Sequence, residues 1–326
     1  MMAAVMRGPR SVSVEKVEDP VVPSGWALVR SRTVGICGTD KAFYRGTYRL
    51  FKEPLIPGHE VSGEVVEGPE DLIGARVVSE INFSCLKCAV CRAGMYTHCP
   101  YRRTLGIDFD GGMAEYFVAP SWALHTHDMS HDVAFAAEPL AAVLNALEKA
   151  PPKPGWSVAV VGTGFIAWLA AQVFRLTGFE PVVVTRRGSS KARLFESEGF
   201  EVATFEEALE RGRRTWSGLG FDMVFEATGS NEGVRAAVAL ARPRGVVHLK
   251  STPGGEAPLP QTEAVVKELT LVGSRCGDHR NFGEALRMLS EGLVKVVVSA
   301  SFTLAEAREA FIKSMEPGVV KVIVKP

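Results

Sequence analysis

Residues 157–273 alternate short apolar segments with helical ones, and this alternation limits the fold more than any other feature. Strands are predicted at 157–161, 181–185, 201–204, 222–226, 245–250 and 269–273. Helical spacing lies between most of them, reaching residue 176 after the first strand and then covering 191–198, 206–212 and 234–241. A strand–helix order repeated over about 120 residues predicts a parallel sheet with helices on both faces.

A glycine turn follows the first of these strands. Gly162 and Gly164 lie between the apolar run 158–161 and a helix that opens with Phe165 and Ile166. Glycine allows a close approach of the backbone to a pyrophosphate, whose charge the free N–H groups of a helix N-terminus stabilise. A tight turn without a ligand is the other interpretation. Because the turn links a strand to a helix at the start of the series, we expect these four residues to bind a dinucleotide.

The end of the second strand indicates which dinucleotide is bound. An NAD site usually places Asp or Glu there, whereas this chain has Thr185, Arg186 and Arg187, with Lys191 beyond. Two guanidinium groups can bind a 2′-phosphate bidentately and stack on adenine. The alternative interpretation is that these arginines lie in a solvated loop and bind no phosphate. The missing acid favours NADP over NAD.

Residues 1–120 follow a different pattern and predict a β-rich half. Alternating or β-branched segments separated by Gly and Pro predict strands at 11–17, 26–34, 61–67, 76–81 and 114–118.

The segments on either side of the strand–helix series are mixed. Helical spacing appears at 134–150, 281–291 and 304–315, and strand-like segments at 300–302 and 321–324. The predicted layout is a β-rich half, a strand–helix half and a small return that contains β-structure.

Four closely spaced cysteines predict a metal cage. Cys85, Cys88, Cys91 and Cys99 follow the pattern C-x2-C-x2-C-x7-C. An iron–sulfur run would have a shorter last gap and a second cluster motif. A zinc ribbon that binds nucleic acid normally has two separated pairs and a basic surface. Four free thiols at this spacing are the remaining alternative. Thiolates on short loops suit tetrahedral zinc, so we expect a structural zinc ion that stabilises the lobe 85–99.

A second group of metal-type side chains is spread along the chain. Cys37 lies in Gly-Ile-Cys-Gly-Thr-Asp, His59 and Glu60 lie in Gly-His-Glu, and Glu138 begins Glu-Pro-Leu at a helix start. A mixed sulfur, nitrogen and oxygen donor set is typical of zinc sites that keep a position open for chemistry. Taken singly, Cys37 would be a small buried hydrophobe and His59 a hydrogen-bonded loop histidine. The combination favours a catalytic metal.

These motifs resemble, in order, those of the zinc-dependent medium-chain alcohol dehydrogenase family. The resemblance covers nearly the whole chain. Its motifs are residues 35–40, 58–60, the four-cysteine lobe, Gly-Gly-Met-Ala-Glu-Tyr at 111–116, Glu-Pro-Leu at 138–140 and Phe-Asp-Met-Val-Phe-Glu-Ala-Thr-Gly at 221–229. Within the family, Glu-Pro-Leu resembles the polyol, threonine and sugar dehydrogenase branches.

The resemblance implies an α/β fold with two domains. A GroES-like, β-rich catalytic domain would comprise residues 1–137 and 276–326. A Rossmann domain with a doubly wound parallel sheet would comprise residues 138–275. It also implies a homodimer or homotetramer.

The resemblance further implies two zinc ions per chain, one structural in the cysteine lobe and one catalytic. Cys37 and His59 would bind the catalytic ion, with Glu60 and Glu138 at or beside it, and the sequence does not decide which carboxylate binds at rest. Thr39 would lie within hydrogen-bond reach of the substrate oxygen and pass its proton outward.

The expected function is a zinc-dependent oxidoreductase that transfers hydride between a secondary alcohol of a polyol, sugar or related small molecule and NADP or NAD. Many relatives carry a histidine five residues after the cysteine ligand. This chain has Ala42 there, which leaves the end of the proton relay open. One alternative is an L-threonine 3-dehydrogenase-like enzyme, suggested by Gly-Ile-Asp at 106–108. Another is a nucleotide-binding protein without turnover, stabilised by one zinc ion.

Composition and charge disfavour other classes of protein. The chain has 37 basic and 37 acidic residues and a formal net charge of zero, which disfavours non-specific nucleic-acid binding. Residues 1–20 lack the apolar core of a secretory signal, and no apolar stretch is long enough to span a bilayer. We therefore expect a cytoplasmic protein with a small-molecule substrate and neither a nucleic-acid nor a membrane partner.

Overall fold

The computed structural model describes residues 1–256 and 258–326, which form two compact units. One unit comprises Met1–Ala141 and Cys276–Pro326, and the other comprises Ala142–Arg275. The strands of the first segment are β1 (Met2–Met6), β2 (Val12–Lys16), β3 (Trp26–Gly35), β4 (Glu60–Glu67), β5 (Arg76–Ser79), β6 (Asn82–Phe83), β7 (Arg103–Thr104), β8 (Tyr116–Pro120) and β9 (Leu124–Thr126). The helices that begin in it are α1 (Gly38–Arg45), α2 (Ala89–Arg92), α3 (His131–Ala134) and α4 (Ala137–Lys149).

The second unit alternates strands and helices. Its strands are β10 (Val158–Val161), β11 (Val182–Thr185), β12 (Glu201–Thr204), β13 (Phe221–Glu226), β14 (Ala241–Leu249) and β15 (Thr270–Gly273). Its helices are α5 (Phe165–Leu176), α6 (Ala192–Ser197), α7 (Phe205–Gly212), α8 (Asn231–Leu240) and α9 (Gln261–Val266). The chain then returns to the first unit with α10 (His279–Ser290), β16 (Ala300–Thr303), α11 (Ala307–Ser314) and β17 (Val322–Lys325).

A seven-stranded sheet organises the first unit. Its order is β16-β17-β3-β4-β5-β9, and β8 also pairs with β3. The long strand β3 pairs antiparallel with β4, β8 and β17, so it holds distant parts of the chain together. Alternate residues of β3 enter the core, among them Ala27 and Val29, as the two-residue period of a strand requires.

The second unit contains a six-stranded parallel sheet in the order β12-β11-β10-β13-β14-β15. Numbered within the unit, this order is 3-2-1-4-5-6, which is the arrangement of doubly wound dinucleotide-binding sheets. All four residues of the central strand β10 are buried, as expected for a strand covered on both faces. The predicted doubly wound parallel sheet is confirmed.

Several short elements of the first unit are absent from the sequence prediction. The strand β1 has the sequence Met-Ala-Ala-Val-Met, which favours a helix, and pairing with β2 overrides that preference. The three residues of β9 are too few to show a period. The helix predicted at 134–150 corresponds to α4, which begins three residues later, and the short helix α3 before it was not predicted. The strand predicted at 114–118 lies at Tyr116–Pro120.

Glycines allow two loops to lie directly against each other in front of β4. Gly58 has φ +99° and Gly106 has φ +68°, a region that favours glycine. The Gly112 N–H donates to the Gly58 carbonyl oxygen over 2.8 Å. A Cβ at Gly106 would lie 2.8 Å from the Gly58 backbone, and one at Gly111 would overlap the Gly58 carbonyl oxygen. The second loop therefore fixes the backbone immediately before His59.

Gly111→Ala tests this close approach. The added methyl group has to displace the backbone of Gly58, so we expect a loss of about 1–3 kcal/mol in the free energy of unfolding, measured by urea denaturation. Gly283→Ala is the control, because it lies in α10 and a Cβ there meets nothing within 4 Å. It should stabilise the protein by about 0.5–1 kcal/mol. Equal effects of the two substitutions would contradict the steric explanation.

Candidate metal centres and nucleotide site

Cys37 and Thr39 lie at the start of α1, directly after β3. The Cys37 N–H donates to Asp40 Oδ2 over 2.8 Å and closes the first turn of the helix. Thr39 Oγ1 lies 4.0 Å from the Cys37 sulfur. The sulfur and the hydroxyl are therefore neighbours at a helix N-terminus.

His59 directly precedes β4 and is 3% exposed. Its Nδ1 lies 3.9 Å from Oδ1 of the fully buried Asp40, which is too far for a hydrogen bond. Neither atom has a hydrogen-bond partner among the described residues. Because buried polar atoms are nearly always satisfied, this pair marks a place where a water, an ion or a small movement completes the structure.

His59 lies among charged groups that include two of the other predicted catalytic-metal ligands, Cys37 and Glu138. Burial acts to lower the pKa of His59, but the charges of the nearby Cys37 sulfur, Asp40 and Glu138 raise it well above the usual range. Burial raises the pKa of Asp40, and the neighbouring His59 opposes that effect. The imidazole thus lies among a sulfur and two carboxyl groups, a setting that favours a cation.

Glu60 is held by a lysine that the sequence analysis missed. The Lys321 ammonium donates to Glu60 Oε2 over 2.5 Å and to the Ile36 carbonyl oxygen over 3.2 Å. Both charged side chains are buried. Nothing in the sequence around Lys321 distinguishes it from a surface lysine. Asp40 ends the motif at residues 35–40, but the motif alone does not indicate a role for its carboxylate.

The structure places Cys37 near enough to His59 for its charge to act on the ring but does not preform a ligand cage. Among residues 1–256 and 258–326, no three of the four predicted ligands have their ligand atoms within 4.8 Å of one another. These four are Cys37, His59, Glu60 and Glu138. A thiolate, an imidazole and carboxylates are the donors that zinc takes in proteins, so the residues fit the ion in kind, and binding requires side-chain movement.

The four-cysteine lobe does form a closed cage. The Cys85–Cys99 and Cys88–Cys91 sulfur pairs are 3.5 Å apart, and the Cys88–Cys99 and Cys85–Cys91 pairs are 3.9 and 4.0 Å apart. Tetrahedral zinc with 2.3 Å bonds separates its sulfurs by about 3.8 Å. N–H groups of Lys87 and Cys88 lower the pKa of the Cys85 thiol and favour its thiolate. The spacing fits a structural zinc ion.

The glycine turn between β10 and α5 exposes backbone N–H groups. Gly162 has φ +120°, and a Cβ there would lie 2.9 Å from the Ala227 carbonyl oxygen, so only glycine fits. Gly164 precedes α5 without a side-chain cap, and a Cβ there would meet nothing within 4 Å. Phe165 is buried in the core, and Ile166 is half-buried. The turn leaves the helix N-terminus open to an anion.

A cavity of about 560 Å³ lies at the carboxyl end of β11, lined by Thr185, Arg186, Arg187 and Arg193. None of the three arginines forms an ion pair with a carboxylate in the part of the chain that the structure describes. Three unpaired guanidinium groups around one cavity suit a dianion such as a phosphate. Arg193 was not predicted, because it lies in α6, beyond the loop that follows the end of β11.

Two acidic residues also line this cavity, Glu196 and Glu207. Glu207 is occupied as the cap of α7, because its carboxylate accepts from the Thr204 N–H over 2.7 Å. The end of β11 itself carries no acid, as the sequence indicated. The acids come instead from the helices on either side.

Comparison with known proteins agrees with this geometry. Residues 23–128 match the alcohol dehydrogenase GroES-like domain, and residues 166–291 match the zinc-binding dehydrogenase domain. Sorbitol dehydrogenase of Halalkalibacterium halodurans is 31% identical over 100% of this chain and 98% of its own. D-altritol 5-dehydrogenase of Agrobacterium fabrum is 32% identical over 92% of each. The crystal structure of a zinc-binding dehydrogenase from Sinorhizobium meliloti bound to NADP has a TM-score of 0.88 and 29% identity, covering 100% of this chain and 99% of that one.

The fold and the matching domains define a zinc-binding oxidoreductase. The chain belongs to the zinc-dependent medium-chain alcohol dehydrogenase family, whose homologues here are polyol and sugar dehydrogenases. The predicted family, the GroES-like and Rossmann fold class, the enzyme class and the zinc and dinucleotide cofactors are confirmed. Within the described ranges, no helix has both the length and the apolar character that crossing a membrane requires.

Lys321→Met tests how strongly the buried ion pair supports the site. The substitution leaves the buried Glu60 carboxylate without its cation, so we expect a loss of about 3–5 kcal/mol in the free energy of unfolding. Lys325→Met is the matched control, since Lys325 pairs with Asp132 on the surface and its loss should cost about 0–1 kcal/mol.

The double substitution Lys321→Met/Glu60→Gln should recover much of the loss, because it removes the unpaired charge as well. Urea denaturation of the three variants beside the parent protein measures these differences. Similar losses for Lys321→Met and Lys325→Met would show that the buried pair contributes no more to the free energy of unfolding than the surface pair.

Proposed function

We propose that this chain is a zinc-dependent, NADP-preferring dehydrogenase that interconverts a secondary alcohol of a polyol or sugar with the corresponding ketone. The neighbourhood of Cys37, His59 and Glu138, with the Thr39 hydroxyl beside it, carries the proposal. The names of the relatives, sorbitol and D-altritol dehydrogenases, support the substrate class.

Cys37, His59 and one carboxylate would hold the catalytic zinc ion. Glu60 is engaged by Lys321, which supports Glu138 as the carboxylate ligand at rest, with Glu60 beside the metal. When bound, zinc acts as a Lewis acid that lowers the pKa of an alcohol.

The chain's own residues would orient the substrate and the ligands. The Thr39 hydroxyl lies beside the Cys37 sulfur, so it can accept a hydrogen bond from the substrate hydroxyl and hold it in place. Asp40 needs to approach His59 by about one ångström to accept its N–H, which would fix the ring and its tautomer. The methyl side chain of Ala42 cannot accept or donate a proton, so the proton would leave Thr39 by another route.

Thr39→Val tests the role of the hydroxyl. We expect kcat to fall by about 10²–10⁴, as for loss of a group that positions or transfers a proton, with a smaller change in KM. Thr39→Ser keeps the hydroxyl and should retain most of the activity. Steady-state kinetics measures both. Equal rates for Thr39→Val and the parent enzyme would remove Thr39 from the mechanism.

A reduction assay with both dinucleotides against pentitols, hexitols, aldoses and amino alcohols tests the function itself. Turnover of a polyol or sugar with NADP is the expected result. Turnover of threonine alone would favour the amino-alcohol alternative. Binding of NADP by a metal-loaded protein that turns over none of these compounds would overturn the proposal.

We infer a purely structural zinc ion in the lobe of Cys85, Cys88, Cys91 and Cys99, because the sulfurs already lie at tetrahedral spacing. Cys99→Ser should bind one zinc ion fewer per chain than the parent protein and melt at a lower temperature. Cys276→Ser, which changes a cysteine outside both proposed sites, should keep the metal content. Elemental analysis and calorimetry make the comparison, and unchanged zinc in Cys99→Ser would contradict the inference.

The arginine cavity supports NADP over NAD. A charge-assisted hydrogen bond contributes about 1.5–3 kcal/mol, so Arg186→Asp should raise KM for NADP by about 10- to 100-fold with little effect on NAD. Arg214→Asp is the control, since Arg214 is exposed and does not line the cavity. A preference for NAD in the parent enzyme, unchanged in Arg186→Asp, would overturn the cofactor proposal.

The proposal extends to a homodimer or homotetramer in the cytoplasm. The strand β15 forms one edge of the six-stranded sheet, and an open sheet edge is a ready place for pairing between copies. Light scattering at several protein concentrations tests the oligomeric state.

A further inference from the structure

Three metal-type side chains outside both proposed zinc sites meet in the first unit. Glu80 directly follows β5, His125 lies in β9 and His279 is the first residue of α10. β5 and β9 pair antiparallel with Val78 opposite His125, and the Glu80 N–H donates to the Ala123 carbonyl oxygen over 2.8 Å. Strand pairing therefore fixes two of the three residues, and the start of α10 supplies the third.

Both imidazoles face one carboxylate oxygen. His125 Nε2 lies 3.0 Å and His279 Nδ1 2.8 Å from Glu80 Oε1, and the two rings are 4.4 Å apart between centroids. One ligand atom from each residue lies within 4.8 Å of the other two. Zinc with bonds of 2.0–2.1 Å separates neighbouring ligand atoms by about 3.4 Å. Each of the two nitrogen–oxygen distances has to widen by only about half an ångström to reach this value.

The cluster is buried on one side and open on the other. The side chains of Glu80 and His125 are 2% and 9% exposed, whereas that of His279 is 60% exposed. An ion can therefore enter from the His279 side, and a water or another solvent ligand can complete its coordination. His279 stands at a helix end with its ring exposed, so the widening falls on the least constrained of the three residues.

Tyr96 fixes the carboxylate from behind. Its hydroxyl donates to Glu80 Oε2, the oxygen that the imidazoles do not use, over 3.0 Å, and it accepts the backbone N–H of His279. Burial and the charge of Glu80 raise the pKa of Tyr96, so it stays a donor. Carboxylates that bind metals are oriented by outer hydrogen bonds of this kind.

We propose that Glu80, His125 and His279 form a third metal site, which takes a divalent transition-metal ion such as zinc. Two imidazole nitrogens and one carboxylate oxygen are a donor set that zinc uses in proteins, with a fourth position left to solvent. The ion would replace the two hydrogen bonds that join the rings to Glu80. It would join the start of α10 to β5 and β9.

Metal content per chain tests the proposal. The full-length protein is equilibrated with excess zinc, freed of unbound ion by gel filtration and analysed for metal. His279→Ala should carry one equivalent fewer than the parent protein. Arg280→Ala is the matched control, because it changes the next side chain of α10, which is exposed and lies outside the cluster, and it should keep the full content.

Glu80→Gln gives a second measurement in case His279→Ala alters the fold, which circular dichroism would reveal. It keeps the size of the side chain and should also lose one equivalent. Titration of the metal-depleted parent protein with zinc should show one more binding event than either variant and a larger rise in Tm. Equal zinc content and equal titrations for the parent and both variants would overturn the proposal and leave a hydrogen-bonded cluster. None of these residues belongs to the other zinc sites, so the difference stands whether or not the dehydrogenase activity is found.

Discussion

The register between β3 and β4 is the constraint on which the first unit depends. In this pairing Gly35 lies opposite Glu60, which places the turn that carries Cys37 beside the residue pair His59 and Glu60. A shift by one residue would turn every side chain of β4 to the other face and separate the sulfur from the imidazole. Glycine is required at position 35, because a Cβ there would overlap the Glu60 carboxylate. The register shifts of this strand pair lie between Leu28 and Val29 and between Ser31 and Thr33, so they do not alter the pairing of Gly35 with Glu60.

Two buried carboxylates, Glu60 and Asp222, are each held by a specific cation. In the first unit, Lys321 forms a buried ion pair with Glu60. In the second, Asp222 accepts from Arg242 Nε over 2.6 Å and from the Ser157 N–H over 2.8 Å, which ties β13 to the start of β10. Removing either partner of such a pair leaves the other charge in a low-dielectric interior, which is more costly than losing a surface pair. Asp222, a polar residue within the apolar motif at 221–226, is thus explained by anchoring.

The sequence predicts the parallel sheet of the second unit well, because each strand–helix step has its own periodic signal and the steps are adjacent along the chain. The cysteine lobe is equally local, and its spacing alone indicates a cage. Lys321 is different: its partner lies 261 residues away, and no pattern links them.

The cluster around Glu80 escaped prediction for the same reason. Its three residues come from the position after β5, from β9 and from the start of α10, and each is an ordinary residue in its own segment. The motif Gly-Ile-Asp at 106–108 is the opposite case, a local pattern that suggested a threonine-type substrate and also has a place in the fold. Its Gly106 packs against Gly58, and Asp108 accepts from the Thr104 N–H over 2.6 Å, so the motif has a structural explanation.

The last pairing of the seven-stranded sheet has a consequence for biosynthesis. β17 lies between β3 and β16, and Lys321 just before it reaches back to Glu60. During translation, residues 142–275 leave the ribosome as a complete compact unit while the earlier half still lacks its neighbouring strand and its buried cation. The nascent chain thus carries Cys37 and His59 in an unfinished sheet until residues 321–325 emerge, so the order of synthesis postpones completion of the sheet around these two residues to a late step.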